Sequence, residues 1–279
     1  MSACDKDNRA IFKGGTSLTK AYGIGNRFSE DIDVAISEAW SLSGNQLKNL
    51  IRRTAKNMTA GLEEIHMPGF TSKGSHYHKA YYSYPTTFYT PQAGAIKTGQ
   101  LLVEINSFAN PYPFRKCKLQ SFLTEFLQKT GNENLIKTYG MEPFEVNVLD
   151  CRRTLTEKIV SLIRCSLADN YITELTAKIR HFYDLHFLLK DRATKEYLKS
   201  DAFIADFTNL FVQDQQRFEK PVGWRNKKIT DSPIVTDWHA VWAVLKNVYS
   251  RELPDLAYKE IPEAEEIEAS MSELMGYIL

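Results

Sequence analysis

The sequence predicts two dissimilar halves, an α/β or α+β portion over residues 1–150 and a helical bundle over residues 151–279. Short apolar runs with period-two alternation, bounded by turn residues, are confined to the first half, whereas segments of 3.6-residue periodicity dominate the second. In addition, the 279 residues exceed the ~100–200 typical of a single domain.

In chain order, Gly14 and Gly15 are followed by a helix-like stretch, Thr16 to Tyr22. Asp31 to Ser37, Ala80 to Tyr84 and Leu101 to Phe108 alternate polar with apolar or aromatic residues and are expected to be strands. Between the first two lies an amphipathic helix, with Leu47, Leu50, Ile51, Ala55, Met58 and Leu62 on one face and Lys48, Arg52, Arg53 and Lys56 on the other. Beyond residue 150, Thr154-Leu-Thr-Glu157 has the capping-box form, so a helix is expected from Thr154 to about Ala168. Further helices are expected over 171–190, within 194–217, over 236–251 and from Pro262 onward. The stretch Gln216 to Pro233 reads as a long loop.

Composition narrows the function classes. The chain is 43% hydrophobic and 25% charged, which excludes a disordered or fibrous protein. No apolar run approaches the ~18 residues that span a bilayer, and the polar start does not resemble a signal peptide, so a cytoplasmic location is expected. Cys4, Cys117, Cys151 and Cys165 form no CxxC pair and are expected to be reduced thiols. The net charge of +1 conceals an asymmetry. Residues 252–279 carry eight acids and one base, a net of −7, which leaves +8 on residues 1–251. A body of that sign suits a polyanion such as RNA, and the acidic tail reads as a solvated helix face.

The chemistry concentrates in Lys13-Gly14-Gly15-Thr16-Ser17-Leu18 and Arg27-Phe28-Ser29-Glu30-Asp31-Ile32-Asp33. Two glycines allow close backbone approach, and the amides of the following helix-like turn suit phosphate oxygens. On a strand, residues i and i+2 project from one face, which sets the Asp31 and Asp33 carboxylates side by side. Adjacent carboxylates repel, and hard Mg²⁺ is the usual remedy. Glu104 alternates with Leu102 and Asn106 on one face of its own strand. Beside the Asp31/Asp33 strand it would complete a three-carboxylate cage of the two-metal kind used in nucleotidyl transfer. Other features are discounted. His76-Tyr-His78 sits in Ser/Gly/Lys-rich sequence that suggests a mobile loop, and His181 and His186, five apart, lie on different helix faces. The aromatics Tyr77, Tyr81, Tyr82, Tyr84, Phe88 and Tyr89 read as core. Trp224-Arg225-Asn-Lys227-Lys228 reads as an exposed basic loop.

These motifs resemble the AbiEii/AbiGii nucleotidyltransferase toxins, within the DNA polymerase β-like nucleotidyltransferase superfamily. The resemblance rests on K-G-G-T-S-L-(8)-R-F-S-E-D-I-D (Lys13 to Asp33), on Arg153-Thr-Leu-x-Glu157-Lys158-Ile159, and on Lys178-x-Arg180-His-Phe-Tyr-Asp184-Leu185. It implies a nucleotidyltransferase domain with a mixed sheet flanked by helices, followed by the helical domain. Gly14, Gly15 and Ser17 would line the triphosphate and Ser29 would contact a phosphate. Asp31, Asp33 and Glu104 would hold two Mg²⁺ ions, with Glu104 also orienting or deprotonating the acceptor hydroxyl. Lys158 would reach the β- or γ-phosphate, Lys178 and Arg180 would add phosphate contacts, and Asp184 would position Lys158 or a second-site base instead of binding metal; by spacing alone, Arg180 and Asp184 at i and i+4 also suit a helical ion pair. The implied reaction transfers NMP from an NTP to an acceptor hydroxyl such as a tRNA 3′ end, in a toxin-antitoxin or abortive-infection system with a cognate antitoxin. The alternatives are a nucleotidyltransferase or kinase acting on a small molecule or protein, and a binding module with a vestigial cage.

Overall fold

In a computed structural model of the chain, described over residues 9–29, 31–86 and 99–279, two compact units form. One holds the described residues of 1–23 and 29–150; the other holds Ile24–Phe28 together with Cys151–Leu279. Phe88, Tyr89, Glu30 and Cys4 lie outside the described residues.

The first unit is built on a mixed sheet. Its chain order is β1 (Ala10–Lys13), α1 (Gly14–Ser17) continued by a π-helical turn (Leu18–Tyr22), β2 (Asp31–Ile36), α2 (Gly44–Met58), β3 (Glu63–Ile65), β4 (Ser72–Lys73), β5 (Tyr77–Ser83), β6 (Gln100–Asn106), β7 (Phe114–Leu119), α3 (Phe122–Lys129), α4 (Glu133–Thr138) and β8 (Phe144–Leu149). The strands lie in the order β3-β5-β6-β2-β1-β8-β7, with β4 pairing β5. The β2/β6 and β1/β8 pairs are parallel and the remaining pairs antiparallel.

One sheet face is covered by helix. α2 starts at a capping box, in which Ser43 Oγ accepts the Gln46 amide at 3.4 Å and Gln46 Oε1 accepts the Ser43 amide at 2.9 Å. It buries Leu47, Leu50, Ile51 and Ala55 against Val34, Ile36, Ala80, Tyr82, Val103 and Ile105. Burial of a Leu or Ile side chain is worth about 1.5–3 kcal/mol, so this contact is the main anchor of the helix. The side chains of Asp31, Asp33 and Glu104 belong to the alternate positions and therefore project from the other face.

The sequence did not foretell β1, β7 or β8. β7 reads Phe-Arg-Lys-Cys-Lys-Leu, an edge strand whose charges interrupt the alternation. His76-Tyr-His78 enters strand β5 instead of a loop. His78 is buried with Nε2 3.1 Å from Tyr82 Oη, and His76 Nδ1 lies 3.2 Å from Ser107 Oγ.

The second unit is helical: α5 (Cys151–Ser166), α6 (Tyr171–Thr176), α7 (Ile179–Lys190), α8 (Arg192–Leu198), α9 (Asp201–Arg217), α10 (Pro233–Thr236), α11 (Trp238–Glu252) and α12 (Ala264–Met275). Its core gathers Leu155, Ile159, Leu162, Phe182, Leu185, Trp242 and Met271. α12 is held by polar handles on buried aromatics, since Trp238 Nε1 donates to Glu268 O and Trp242 Nε1 to Ala264 O, each at 3.0 Å. The acidic tail thus folds as a helix with Ile267, Met271 and Leu274 inward and Glu265 and Glu266 exposed.

Two helical expectations need correction. α5 begins at Cys151 and not Thr154. The Thr154 side chain is buried, with no hydrogen-bond partner for Oγ1 among the described residues, so it caps nothing. The 171–190 segment breaks at Ala177 and Lys178, whereas α9 lies within 194–217 as expected, preceded by the short α8. Trp224, expected exposed, is buried against Phe211 and donates Nε1–H to Phe218 O at 2.9 Å. Because Ile51 is buried at the centre of the α2 contact, Ile51→Ala is expected to lower stability by about 2–5 kcal/mol, measured by denaturant unfolding.

Candidate active site

In the first unit the site starts at the turn from β1 into α1. Gly14 takes φ +78°, and a Cβ there would fall 2.1 Å from Asp33 Oδ2, so no other residue fits this approach. Thr16 Oγ1 donates to Asp31 O at 2.7 Å and ties the turn to β2. Ser17 is buried and donates its hydroxyl to Gly14 O at 2.8 Å, so its visible work is to hold the turn. Gly15 and Ser29 are half-buried.

Register then brings the carboxylates together. Asp33 is the direct neighbour of Glu104 across the parallel β2/β6 pair, and Asp31 stands two residues away on the same face. All three are half-buried. Across β6, Lys79 is the partner of Glu104 and Tyr77 the partner of Asn106, so both lie on this face. Lys79 Nζ forms an ion pair with Glu104 Oε1, and Tyr77 donates its hydroxyl to Glu104 Oε2 at 3.1 Å. Tyr77 is set by stacking on Phe108, with ring centroids 5.5 Å apart.

The electrostatics confirm that these groups share one environment. Burial raises the Tyr77 pKa, and the negative charges of Glu104, Asp33 and Asp31 raise it further. Burial opposes the Lys79 charge, but the hydrogen bond and charge of Glu104 overcome it and Asp31 adds to the effect, so its pKa is raised. Among the described residues, no three His, Cys, Asp or Glu side chains are grouped to hold one ion. Glu104 is engaged by Lys79 and Tyr77. The donor chemistry nonetheless fits a hard cation: Asp31 and Asp33 offer two carboxylates from one strand face, against a backbone cradle at Gly14 that a side chain would fill.

In the second unit the corresponding centre is Asp184, on α7. Arg27 grips it with two bonds, Nε to Oδ1 and Nη2 to Oδ2, both 2.7 Å, and Lys158 Nζ on α5 lies 2.8 Å from Oδ2. All three side chains are buried. Of the alternatives the sequence left open for Asp184, the contact with Lys158 is formed. The Arg27 segment is bound to its own unit by Phe28 N–H to Leu256 O at 2.7 Å and Asn26 N–H to the Tyr183 hydroxyl at 2.9 Å. Burial would raise the Asp184 pKa, but Arg27 and Lys158 outweigh it and hold the carboxyl well below the usual range.

Arg27 and Lys158 thus share the Asp184 carboxylate. Lys178 and Arg180, at the start of α7, are half-buried. Burial first, then Lys158 and Lys178, drive the His181 pKa far down, so this ring is neutral near pH 7. Sequence reasoning missed Arg27, Tyr77 and Lys79 as site residues, although Arg27 stands inside the first motif.

A chain with such carboxylates on a mixed sheet and a buried Lys–Asp pair in a following helical unit has the parts for phosphate-transfer chemistry. The sequence matches the family described as "Nucleotidyl transferase AbiEii toxin, Type IV TA system" over residues 1–269. It belongs to that family, and is therefore a nucleotidyltransferase toxin of a type IV toxin-antitoxin system, with an NTP substrate and an antitoxin partner. Among solved structures it is similar to MenT4, a nucleotidyltransferase toxin from Mycobacterium tuberculosis, at 14% identity and a TM-score of 0.45, over 97% of this chain and 85% of that one. No curated protein matches. No helix among the described residues is long and apolar enough to cross a membrane.

Two outcomes follow from this geometry. Gly14→Ala is expected to cost about 1–3 kcal/mol from the left-handed backbone and to displace Asp33, read by denaturant unfolding. Asp184→Asn strands two buried cations and should cost about 3–5 kcal/mol at pH 7. Because the folded pKa of Asp184 lies below the unfolded ~3.9, its stabilisation is complete above that value and lost as pH falls through the folded pKa. The difference in stability between wild type and Asp184→Asn should be constant from about pH 5 to 8 and shrink below about pH 4, in unfolding titrations across pH.

Proposed function

We propose that this chain transfers NMP from an NTP to the terminal hydroxyl of an RNA, the tRNA 3′ end being the acceptor, in a Mg²⁺-dependent reaction within the cytoplasm, and so arrests growth when its antitoxin is absent or in response to infection. The observation that carries the reading is the pair Asp31 and Asp33 on one strand face, packed against a glycine turn with no room for a side chain.

In this reading residues 1–150 are the nucleotidyltransferase domain and residues 151–279 a helical domain supplying phosphate contacts. Asp31 and Asp33 would hold Mg²⁺, while Glu104 stays engaged by Lys79 and Tyr77. The chemistry supplied by bound Mg²⁺ is charge neutralisation at the triphosphate. The backbone at Gly14 and Gly15 lies along the phosphates, with Ser17 fixing the turn and Ser29 contacting a phosphate. Glu104, braced by Lys79 and Tyr77, accepts the hydrogen bond of the acceptor hydroxyl and orients it. Lys158, aimed by Asp184 and Arg27, neutralises the β- or γ-phosphate, with Lys178 and Arg180 adding charge. The acceptor oxygen forms a bond to the α-phosphorus as its proton passes to Glu104, the bond from that phosphorus to the bridging oxygen breaks, and pyrophosphate leaves with the electron pair.

Incubation with α-labelled NTPs, Mg²⁺ and total tRNA tests this directly. Label is expected on RNA, and Asp31→Ala or Asp33→Ala should reduce it by about 10³-fold or more. Label that stays off RNA and appears on a small molecule or a protein would sink the acceptor assignment. Transfer from a γ-labelled NTP instead of an α-labelled one would mark a kinase, and unchanged growth arrest in Asp31→Ala would mark a binding module.

A further inference from the structure

From Ala39 to Leu62 the chain contains Lys48, Arg52, Arg53 and Lys56 and no acidic residue. Four basic groups without a single acid are unusual for a surface helix, where mixed charges stabilise. Lys48, Arg52 and Lys56 stand at i, i+4 and i+8 of α2, so they stack in one row on its exposed side. With a rise of 1.5 Å per residue, successive members are roughly 6 Å apart along the axis. Like charges at this spacing destabilise a helix, and among the described residues no carboxylate pairs with these three. The fold draws nothing from the row, since the anchor of α2 is its apolar side.

Beside the row, a cavity of 580 Å³ is lined by Arg9, Leu42, Gln46, Asn49, Leu50 and Arg53. Gln46, Asn49 and Arg53 form a second line of the helix at i, i+3 and i+7, and two guanidiniums with two side-chain amides are the donor set that phosphate oxygens accept from. Arg9 Nη1 donates to Ser41 Oγ at 3.3 Å, and the residue before Ser41 is Trp40, whose ring is 69% exposed. Glu38, the nearest acid in sequence, is paired with Arg9 at 3.6 Å.

We infer that the exposed face of α2, with its flanking cavity and Trp40, is the surface on which RNA rests: the two lines of donors follow the phosphate backbone and the indole stacks on an unpaired base. Ordered rows of cations beside an exposed aromatic ring are how single-stranded nucleic acid is held without sequence preference. A protein partner fits less well, because Trp40 stands alone: large exposed hydrophobic residues, the usual anchors of protein interfaces, do not occur on α2 itself, whose exposed side carries the cations. The surface lies on the opposite side of the sheet from Asp31, Asp33 and Glu104, so it serves the body of a long acceptor and not its reacting end. The inference rests on the reading of RNA as acceptor.

The test is binding of the full chain to full-length tRNA as a function of salt, with Lys48→Ala/Arg52→Ala/Lys56→Ala as the variant and thermal melting as the check of folding. Alanine is the best helix former, so α2 should persist. The variant should bind at least about tenfold more weakly at ~0.1 M salt, and its log–log salt slope should be shallower by about 2–3. Of the four tryptophans, Trp224, Trp238 and Trp242 are buried to 5% exposure or less, so RNA should quench the fluorescence of Trp40 alone, and Trp40→Phe should abolish the quench. Equal affinity and slope in wild type and triple variant, or a quench that survives Trp40→Phe, would overturn the inference even if NMP transfer to tRNA is observed. Binding and quenching without any transfer would leave the inference standing and remove the proposed chemistry. Loss of binding to polyglutamate with tRNA binding intact would mark the face as a protein surface and overturn it.

Discussion

The repulsion between two carboxylates held on one face of a β-strand is the constraint around which the first unit is arranged. Asp31 and Asp33 have no freedom to separate, because β2 is paired on both sides, with β1 and with β6. The sheet meets the resulting charge in stages. β6 adds Glu104 beside Asp33, which increases the negative charge, and β5 answers with Lys79 directly across from Glu104. On the other side Lys13 of β1 stands across from Asp33, so cations from two neighbouring strands face the three carboxylates beside a turn kept bare by Gly14.

The second unit solves the inverse problem. There a single carboxylate, Asp184, organises two buried cations. A buried pair is weak evidence for stability, since desolvation consumes most of the attraction. Its value here is geometric: the bidentate grip of Arg27 fixes Asp184, and Asp184 in turn holds the Lys158 ammonium. His181, kept neutral chiefly by burial and further by the nearby charges of Lys158 and Lys178, adds no further charge to the cluster.

Local patterns carried much of this into the sequence. The D-x-D strand and the amphipathic α2 were legible because alternation and helical periodicity are properties of neighbouring residues, and Lys158 and Asp184 were legible through their motifs. Pairings between distant residues were not. Arg27 and Asp184 are 157 positions apart, and the engagement of Glu104 by Lys79 depends on the β5/β6 register, which no local pattern states. Thr154-x-x-Glu157 misled because the pattern of a cap can occur inside a helix, and α5 had already begun at Cys151. Trp224 misled because its basic neighbours are exposed while the indole itself fills a gap beside Phe211.

The most direct measurement of the central claim is calorimetric titration of Mg²⁺ into the full chain with a non-hydrolysable NTP, comparing wild type with Asp33→Asn. The account predicts saturable Mg²⁺ binding in wild type that weakens at least about tenfold, roughly 1.4 kcal/mol, once the second carboxylate of the pair is neutralised. Equal Mg²⁺ affinity in the two proteins would contradict it, because the carboxylate pair would then not be what holds the ion.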